Sequence, residues 1–170
     1  MKRANSSMQL TRAADYAVRV MIHLATHTEG RVLLPELAAA TDAPESFLSK
    51  VLQALSRGGL ISSRRGQSGG FQISQGGREA SMLQVIEAID GPICLNVCLI
   101  SGKSCQRKAH CPAHPVWAQA QMAMVEVLSR AMVAELAFEA QAAKSGHAAR
   151  SAHPGSDAVC ISSPVKQARR

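Results

Sequence analysis

The sequence predicts a mainly α-helical protein with one small β-hairpin, arranged as a winged helix–turn–helix that is followed by a long helix. Aromatic residues make up only 3% of the 170 residues, and alanine, leucine, valine and methionine are frequent, which favours helices over a β-sandwich. Apolar residues recur at helical spacing in several segments. Two short strand-like runs flank a single glycine-rich link, which is typical of a β-hairpin.

Three helices are predicted before the hairpin. Thr11 begins a helix that runs to about residue 27, and Pro35 fits the first turn of a short helix that ends near residue 40. After a turn at residues 41–44, a third helix begins and Gly58 ends it. The apolar faces of the first and third helices carry Ala17, Val20, Met21 and Leu24, and Phe47, Leu48, Val51, Leu52 and Leu55, respectively.

The hairpin and two further helices complete the predicted elements. Residues 60–65 and 71–73 are the two strand-like runs of the hairpin. Ser81 caps a fourth helix, which ends at Asp90. A loop that contains four cysteines then leads into a long helix from about residue 112 to about residue 142.

The formal net charge is +7, and the basic surplus lies at the two ends of the chain. We therefore divide the chain into a winged helix–turn–helix head at 8–80, a cysteine loop with the long helix at 81–143, and a basic tail at 144–170. The tail is rich in serine, alanine, histidine, glycine and proline. We expect it to be disordered, because it has too few large apolar residues to offset the entropy of ordering.

The third helix and the hairpin together present polar and basic side chains. The outward-facing candidates are Ser46, Ser49, Lys50, Arg64 and Arg65. Such side chains reach base edges in the major groove, and arginine is favoured in a narrow minor groove. The order helix, turn, helix, hairpin therefore predicts binding to double-stranded DNA, with Thr11 and Arg12 as candidate phosphate contacts. The competing interpretation is a solvated basic surface on which Thr11 and Arg12 only cap a helix.

Five cysteines lie at positions 94, 98, 105, 111 and 160. The sequence has no apolar run long enough for a membrane helix, and its first residues lack the apolar core of a signal peptide. We therefore expect a cytoplasmic protein whose thiols stay reduced. In that setting clustered cysteines indicate a metal site, an iron–sulfur cluster or a redox switch rather than disulfides.

The spacing Cys98-x6-Cys105-x5-Cys111 favours an iron–sulfur cluster. It is wider than the Cys-x2-Cys pairs of structural zinc sites, and a wide loop suits a larger object that is bound by thiolates. The other interpretation of these three residues is that they are small buried apolar side chains, but their polar loop argues against it.

Three cysteines leave one ligand position open, for which Cys94, His114 and Asp15 are the candidates. Cys94 lies in an apolar run, so packing is expected for it. His114 follows Cys111 by three residues and is equally suited to cap the long helix. Asp15 is equally suited to pair with an arginine on its own helix.

The predicted long helix carries an unbroken apolar seam at a spacing of 3.5 residues. The seam comprises Trp117, Ala120, Met124, Val127, Ala131, Ala134 and Phe138. A second apolar stripe lies beside it, and one small domain cannot easily cover both. We therefore expect a dimerisation helix and a symmetric homodimer, which would suit a pseudo-palindromic DNA site. The alternative is that one chain buries both stripes.

The sequence argues against an enzyme. A thiol oxidoreductase that uses Cys94 and Cys98 would need a Cys-x2-Cys motif within a βαβ pattern, and the sequence has neither. It also has no Ser–His–Asp pattern and no glycine-rich phosphate-binding motif. Among regulators, a zinc-bound or cluster-free thiol-based protein is the alternative to an iron–sulfur protein.

Four segments of the sequence occur together in one known family. They are Leu10–Val18, Arg65-Gly66-x-x-Gly69-Gly70-Phe71, Ile86-x-x-x-Asp90-Gly91 and Cys105-x5-Cys111-Pro-x-His114-x-x-Trp117. This ordered combination, over about residues 8–142, resembles the Rrf-type bacterial winged-helix transcriptional regulators, which include IscR-like and NsrR-like proteins. The resemblance implies a homodimeric DNA-binding regulator that is tuned by a 2Fe–2S or 4Fe–4S cluster.

The resemblance also implies the cluster ligands. The three cluster cysteines of the family would be Cys98, Cys105 and Cys111. IscR-like members use a histidine that matches His114, and NsrR-like members use an aspartate of the other subunit that matches Asp15. The sequence departs from the family in having six rather than five residues between the first two cysteines, and in the additional cysteine at position 94.

The DNA contacts that the resemblance implies would fall near Ser46, Ser49 and Lys50, with Arg65 in the wing. The Ser49-Lys50 pair departs from the acidic and amide pair of IscR-like proteins. The operator sequence is therefore expected to differ from theirs.

Overall fold

The computed structural model describes residues 10–27, 29–66, 69–100, 105, 107 and 110–145. In chain order the elements are α1 (Arg12–Thr26), α2 (Leu34–Thr41), α3 (Glu45–Arg57), β1 (Ile61–Arg64), β2 (Gly70–Ile73), α4 (Gln75–Arg78), α5 (Met82–Asp90), a 3₁₀ turn (Val97–Leu99), α6 (His114–Arg130) and α7 (Val133–Lys144). This order contains the predicted winged helix–turn–helix. None of the helices in these ranges is long and apolar enough to cross a membrane. The tail that is predicted to be disordered lies outside the described residues from 146 onwards.

Helix α1 lies at the centre of the core. Thr11 caps it, since its hydroxyl oxygen accepts a hydrogen bond from the Ala14 amide at 3.2 Å. The face that the sequence predicts is buried, with at most 1% exposure for Ala17, Val20, Met21 and Leu24. Because α1 packs against α2, α3, α5 and α7, it connects the helix–turn–helix to the C-terminal helices.

Helices α2 and α3 form the helix–turn–helix. The turn between them places Asp42 in the left-handed region with φ of 52°, which aspartate tolerates better than most residues. The residues of α3 that are buried are Leu48, Val51, Leu52 and Leu55. Phe47, which is predicted for the same face, is 38% exposed and packs edge-to-face on Tyr16 with ring centroids 5.6 Å apart. Phe47 therefore lies at the margin of the core.

The wing is a two-stranded antiparallel hairpin, as predicted, in which Ile61 pairs with Ile73. A third segment joins it to the head, because Val32 and Phe71 exchange two backbone hydrogen bonds of 2.9 Å. A single extended residue between two helices has no periodicity that the sequence could show. Residues 67–68 of the glycine-rich link lie outside the described residues.

The short helix α4 is not predicted from the sequence, because two glycines in four residues disfavour a helix. Ser74 caps it by accepting a hydrogen bond from the Gly77 amide at 2.9 Å, and the Ser74 hydroxyl donates to the Gly59 carbonyl at 2.6 Å. A Cβ atom at Gly77 would lie 2.0 Å from the Leu60 carbonyl oxygen. Only glycine allows this close approach of two backbone segments.

The prediction of one long helix over residues 112–142 is wrong, because the structure breaks it into α6 and α7 at Ala131 and Met132. The Met82 amide donates to the Ala131 carbonyl at 2.8 Å, and the Val133 amide donates to the Ala80 carbonyl at 2.9 Å. These bonds to residues at the start of α5 and just before it replace those of a continuous helix. After the break, α7 packs against α1.

The predicted apolar seam is therefore interrupted after Val127. Its first four residues lie on α6, whereas Ala134 and Phe138 lie on α7, which packs against α1 instead of continuing α6. The segment around the break contains neither proline nor glycine, so local sequence signals do not indicate it.

Candidate DNA interface and cysteine cavity

Helix α3 and the wing border a groove of about 360 Å³. Its polar lining comprises Ser49, Gln53, Ser56, Arg57, Ser63, Arg64 and Arg65. Ser46 and Lys50 are exposed on the same helix. The structure therefore brings Ser49 of the helix and Arg64 and Arg65 of the wing to one groove, in which the charged lining residues are all cationic.

Arg31 supports the position of the wing. Its guanidinium donates hydrogen bonds to the Ser62 carbonyl at 3.4 Å and to the Gly70 carbonyl at 3.2 Å, and so contacts both strands. From the sequence alone, an arginine in a connecting segment that contacts another part of the fold cannot be distinguished from one that faces solvent. Its role is therefore visible only in the structure.

Thr11 forms structural hydrogen bonds. Its hydroxyl donates to the Asp90 carboxylate, with oxygen–oxygen distances of 2.8 and 2.9 Å, and this joins the start of α1 to the end of α5. A phosphate near Thr11 would have to displace this bond and would be repelled by the carboxylate. Arg12 is exposed. Thr11 thus has a capping role, and contact with DNA stays a prediction for both residues.

A second cavity, of about 320 Å³, lies where the cysteine loop meets the start of α6. Its lining includes Cys98, Cys105 and Cys111, so the structure brings the three predicted cysteines to one place. Arg107 and Trp117 form further parts of its wall. Cys94 is exposed and does not line the cavity.

The donor set of this cavity fits an iron–sulfur cluster. The three sulfur atoms do not all lie within 4.8 Å of one another. In the described part of the chain, the one group of three possible ligand atoms within that distance lies elsewhere. A single tetrahedral zinc ion would need sulfur–sulfur distances of about 3.8 Å. More widely spaced thiolates suit a multi-iron cluster, and the Arg107 guanidinium in the wall would offset their negative charge.

Gln121 fixes the first part of the cysteine loop to α6. Its side-chain amide accepts a hydrogen bond from the Leu95 amide at 2.9 Å and donates to the Ile93 carbonyl at 2.6 Å. At the other end of the loop, the His114 amide donates to the Cys111 carbonyl at 3.1 Å. Both ends of the loop are therefore attached to α6. A glutamine among mainly apolar residues of a helix is the sequence signal that could have indicated such a contact, although α6 carries a second one at Gln119.

His114 and Asp15 lie in different surroundings. His114 begins α6, and its Nε2 atom is buried without a hydrogen-bond partner among the described residues. An unpartnered buried nitrogen is unusual and suits a ligand atom. Asp15 lies on α1 and forms an ion pair of 2.8 Å with Arg19, and neither Asp15 nor His114 belongs to the cavity wall. Within one chain, His114 directly follows the cysteine loop at the start of α6, and the choice between His114 and Asp15 as a ligand stays a prediction.

Helix α6 leaves apolar side chains uncovered. None of its residues is buried, and the exposed fraction is 65–68% for Val116, Met122 and Val127. Exposed apolar side chains on one side of a helix are typical of an interaction site. Val116 and Val127 lie on the same side of α6, and we call this side the α6 surface.

The family model of Rrf2, whose description is iron-dependent transcriptional regulator, matches residues 10–139. The chain belongs to the Rrf2 family. The resemblance that the sequence motifs indicate is thereby confirmed. The expectation of a regulator rather than an enzyme is also confirmed at the level of the Rrf2 family, since relatives are named as transcriptional regulators.

Two relatives illustrate the extent of similarity within the Rrf2 family. The HTH-type transcriptional regulator IscR of Pectobacterium atrosepticum is 29% identical over 130 residues, which are 76% of this chain and 79% of that protein. A Mycobacterium tuberculosis protein named as an HTH-type transcriptional regulator is 40% identical over 87 residues, which are 51% of this chain. That match spans about half of the relative, 54% of its length.

A solved structure confirms the fold. CymR of Bacillus subtilis, described as the global cysteine regulator, has a TM-score of 0.64 and 24% identity, with 78% of this chain and 98% of that chain covered. The winged-helix architecture of this Rrf2 chain is therefore the same as that of CymR.

Proposed function

We propose that this chain is a homodimeric DNA-binding transcriptional regulator whose affinity for its operator is controlled by an iron–sulfur cluster held by Cys98, Cys105 and Cys111. The observation that carries the proposal is that Cys98, Cys105 and Cys111 line one cavity at the start of α6. His114 supplies the fourth ligand in this arrangement, because its buried Nε2 atom has no hydrogen-bond partner within the described ranges. When bound, the cluster supplies a centre that is sensitive to oxidation.

Packed helices connect the cysteine cavity to the DNA-binding head. Trp117 of the cavity wall lies on α6, and the break after α6 leads directly into α7. α7 packs against α1, and the Gln141 side-chain amide donates to the Thr26 carbonyl at 2.9 Å. α1 in turn packs against α2 and α3. A coupling free energy of about 1–3 kcal/mol along this path would be sufficient for a switch in DNA affinity.

The state of the purified protein tests the proposal. Anaerobically purified protein should be brown and contain iron and inorganic sulfide, and removal of the cluster should change the affinity for operator DNA in a mobility-shift assay. A colourless protein with stoichiometric zinc would contradict the proposal, and so would equal affinity with and without the cluster. The first result would favour a zinc-bound regulator, and the second a protein whose DNA binding is independent of the cluster.

Arg65→Ala should weaken operator binding by about 1–3 kcal/mol, because an exposed arginine at the wing is placed to contact a groove. Lys50→Ala should also weaken operator binding. If Lys50 contacts phosphate only, the substitution should instead reduce the slope of log affinity against log salt concentration by about one released counterion. Arg130→Ala is the matched control, since it removes the same charge from α6. The measurement is a mobility-shift assay at several salt concentrations, and unchanged affinity and salt slope in the Arg65/Lys50 double variant would contradict this interface.

Val127→Glu should convert the dimer to monomers, because pairing of two α6 surfaces would bury a carboxylate in an apolar contact. Val127 is 68% exposed within one chain, so the protomer should still fold. Ser129→Glu adds the same charge to another exposed position of α6 and serves as the control. Light scattering at micromolar concentration measures the outcome; a Val127→Glu protein that stays dimeric would show that the interface lies elsewhere.

A further inference from the structure

A group of metal-ligating side chains lies where α1 ends and α2 begins. His23, His27 and Glu36 place one ligand atom each within 4.8 Å of the other two. His23 is in the last turn of α1, His27 follows its end, and Glu36 is in the first turn of α2. The two imidazole centroids are 4.2 Å apart, and His27 Nε2 lies 4.0 Å from Glu36 Oε1. None of the three residues lines the cysteine cavity.

Hydrogen bonding fixes the orientation of the His27 imidazole. His27 Nδ1 lies 2.8 Å from the His23 carbonyl oxygen, which can only accept, so Nδ1 carries the proton and Nε2 presents its lone pair. A metal-bound histidine commonly donates its other ring N–H to a backbone carbonyl in this way. His23 Nε2 is buried and finds no hydrogen-bond partner in the part of the chain that the structure describes. A buried nitrogen without a partner requires an explanation, which a bound cation provides.

We propose that His23, His27 and Glu36 form a binding site for a divalent transition-metal ion of the zinc type. Two imidazoles and one carboxylate are a common ligand set for Zn²⁺, with a fourth position for water. Burial lowers the pKa of His23, with further lowering by the charges of His27 and Lys144 and an opposing effect of Glu36. Lys144 at the end of α7 is a nearby cation, which reduces the affinity of the site for a metal ion. The negative charge of Glu36 offsets the positive charge of Lys144.

A metal ion in this site would cross-link the end of α1 to α2, the first helix of the helix–turn–helix. Binding to the folded state alone raises thermal stability in proportion to the logarithm of the metal concentration. Zn²⁺ at about a hundred times its dissociation constant should therefore raise the melting temperature of the wild-type protein by roughly 5 °C or more through this site. This stabilisation by a metal ion would be independent of what binds in the cysteine cavity.

Zinc titration of the full-length protein tests the site. Wild-type protein should bind one Zn²⁺ more, by calorimetry, than His27→Gln or Glu36→Gln. The side chains of these two residues are 38% and 54% exposed, so both variants should fold even if a His23 variant does not. Glu29→Gln removes an exposed carboxylate near the end of α1 and is the matched control, which should keep the wild-type stoichiometry.

Cobalt difference spectra distinguish this site from the cysteines. Co²⁺ bound to nitrogen and oxygen ligands gives visible d–d bands, whereas thiolate ligands add charge-transfer absorption in the near ultraviolet. His27→Gln should remove part of the d–d absorption and leave any thiolate band unchanged. Equal zinc stoichiometry in wild type and His27→Gln, or loss of only the thiolate band, would overturn the proposal.

Discussion

Replacement of Cys98 by serine should leave the anaerobically purified protein colourless and free of inorganic sulfide. Thiolate is the ligand that iron–sulfur clusters favour, and a serine hydroxyl does not replace it at neutral pH. The same loss is expected for Cys105→Ser and Cys111→Ser, because all three side chains line one cavity. Visible absorbance together with iron and sulfide analysis measures the effect.

Cys94→Ser is the matched control for these variants. Cys94 is exposed and outside the cavity wall, so this substitution should keep the full iron and sulfide content. If Cys94→Ser alone removed the cluster, the assignment of the three ligands would be wrong. In the same assay, His114→Ala should destabilise the cluster and Asp15→Ala should not; the reverse result would indicate a ligand from the partner subunit.

Gly77→Ala should cause a large loss of stability. The new Cβ would lie 2.0 Å from the Leu60 carbonyl oxygen and 2.9 Å from Ile73 Cγ1. The Leu60 carbonyl accepts a hydrogen bond from the Ser74 amide at 3.1 Å, so it cannot move away without loss of that bond. We expect a decrease of about 3 kcal/mol or more in the free energy of unfolding, and a melting temperature lower by roughly 10 °C.

Gly76→Ala separates this clash from the general effect of a methyl group in α4. The nearest atom to a Cβ at Gly76 is 3.7 Å away, which is ordinary contact. Alanine also has the higher helix propensity, so this variant should be neutral or more stable by up to about 1 kcal/mol. Thermal unfolding followed by circular dichroism compares the two. Equal melting temperatures for both variants would contradict the close packing of α4 on the wing.

The parts of the fold that the sequence predicts correctly are those set by local interactions. Helix α1 has one apolar face and a threonine cap, and both are visible within a few neighbouring residues. The same holds for Ser81, which forms a capping box with Gln84 at the start of α5. The break at Ala131 is different, because its cause is hydrogen bonding to residues about fifty positions earlier in the chain.

The candidate sites also divide into those that local sequence predicts and those that depend on contacts between distant segments. Cysteine spacing within one loop predicts that Cys98, Cys105 and Cys111 share a site, because a loop confines them. The contact of Arg31 with the wing depends on how distant segments pack, and sequence spacing does not show it. The group formed by His23, His27 and Glu36 spans two helices and a turn, so only the fold brings its ligand atoms together.

The backbone pairing at Ala131 and Met132 fixes the C-terminal end of α6, so a movement of its other end would act as a rotation about this pivot. The pivot is held by hydrogen bonds to residues 80 and 82, and α6 extends from it for 17 residues, or about 25 Å. The cysteine cavity lies at the far end of this rod. A displacement of about 2 Å there corresponds to a rotation of about 5° at the pivot, and two copies related by a twofold axis would rotate by about 10° relative to each other. Because half-sites on DNA have a fixed helical phase, a small rotation of this kind would take one of the two heads out of register with its groove.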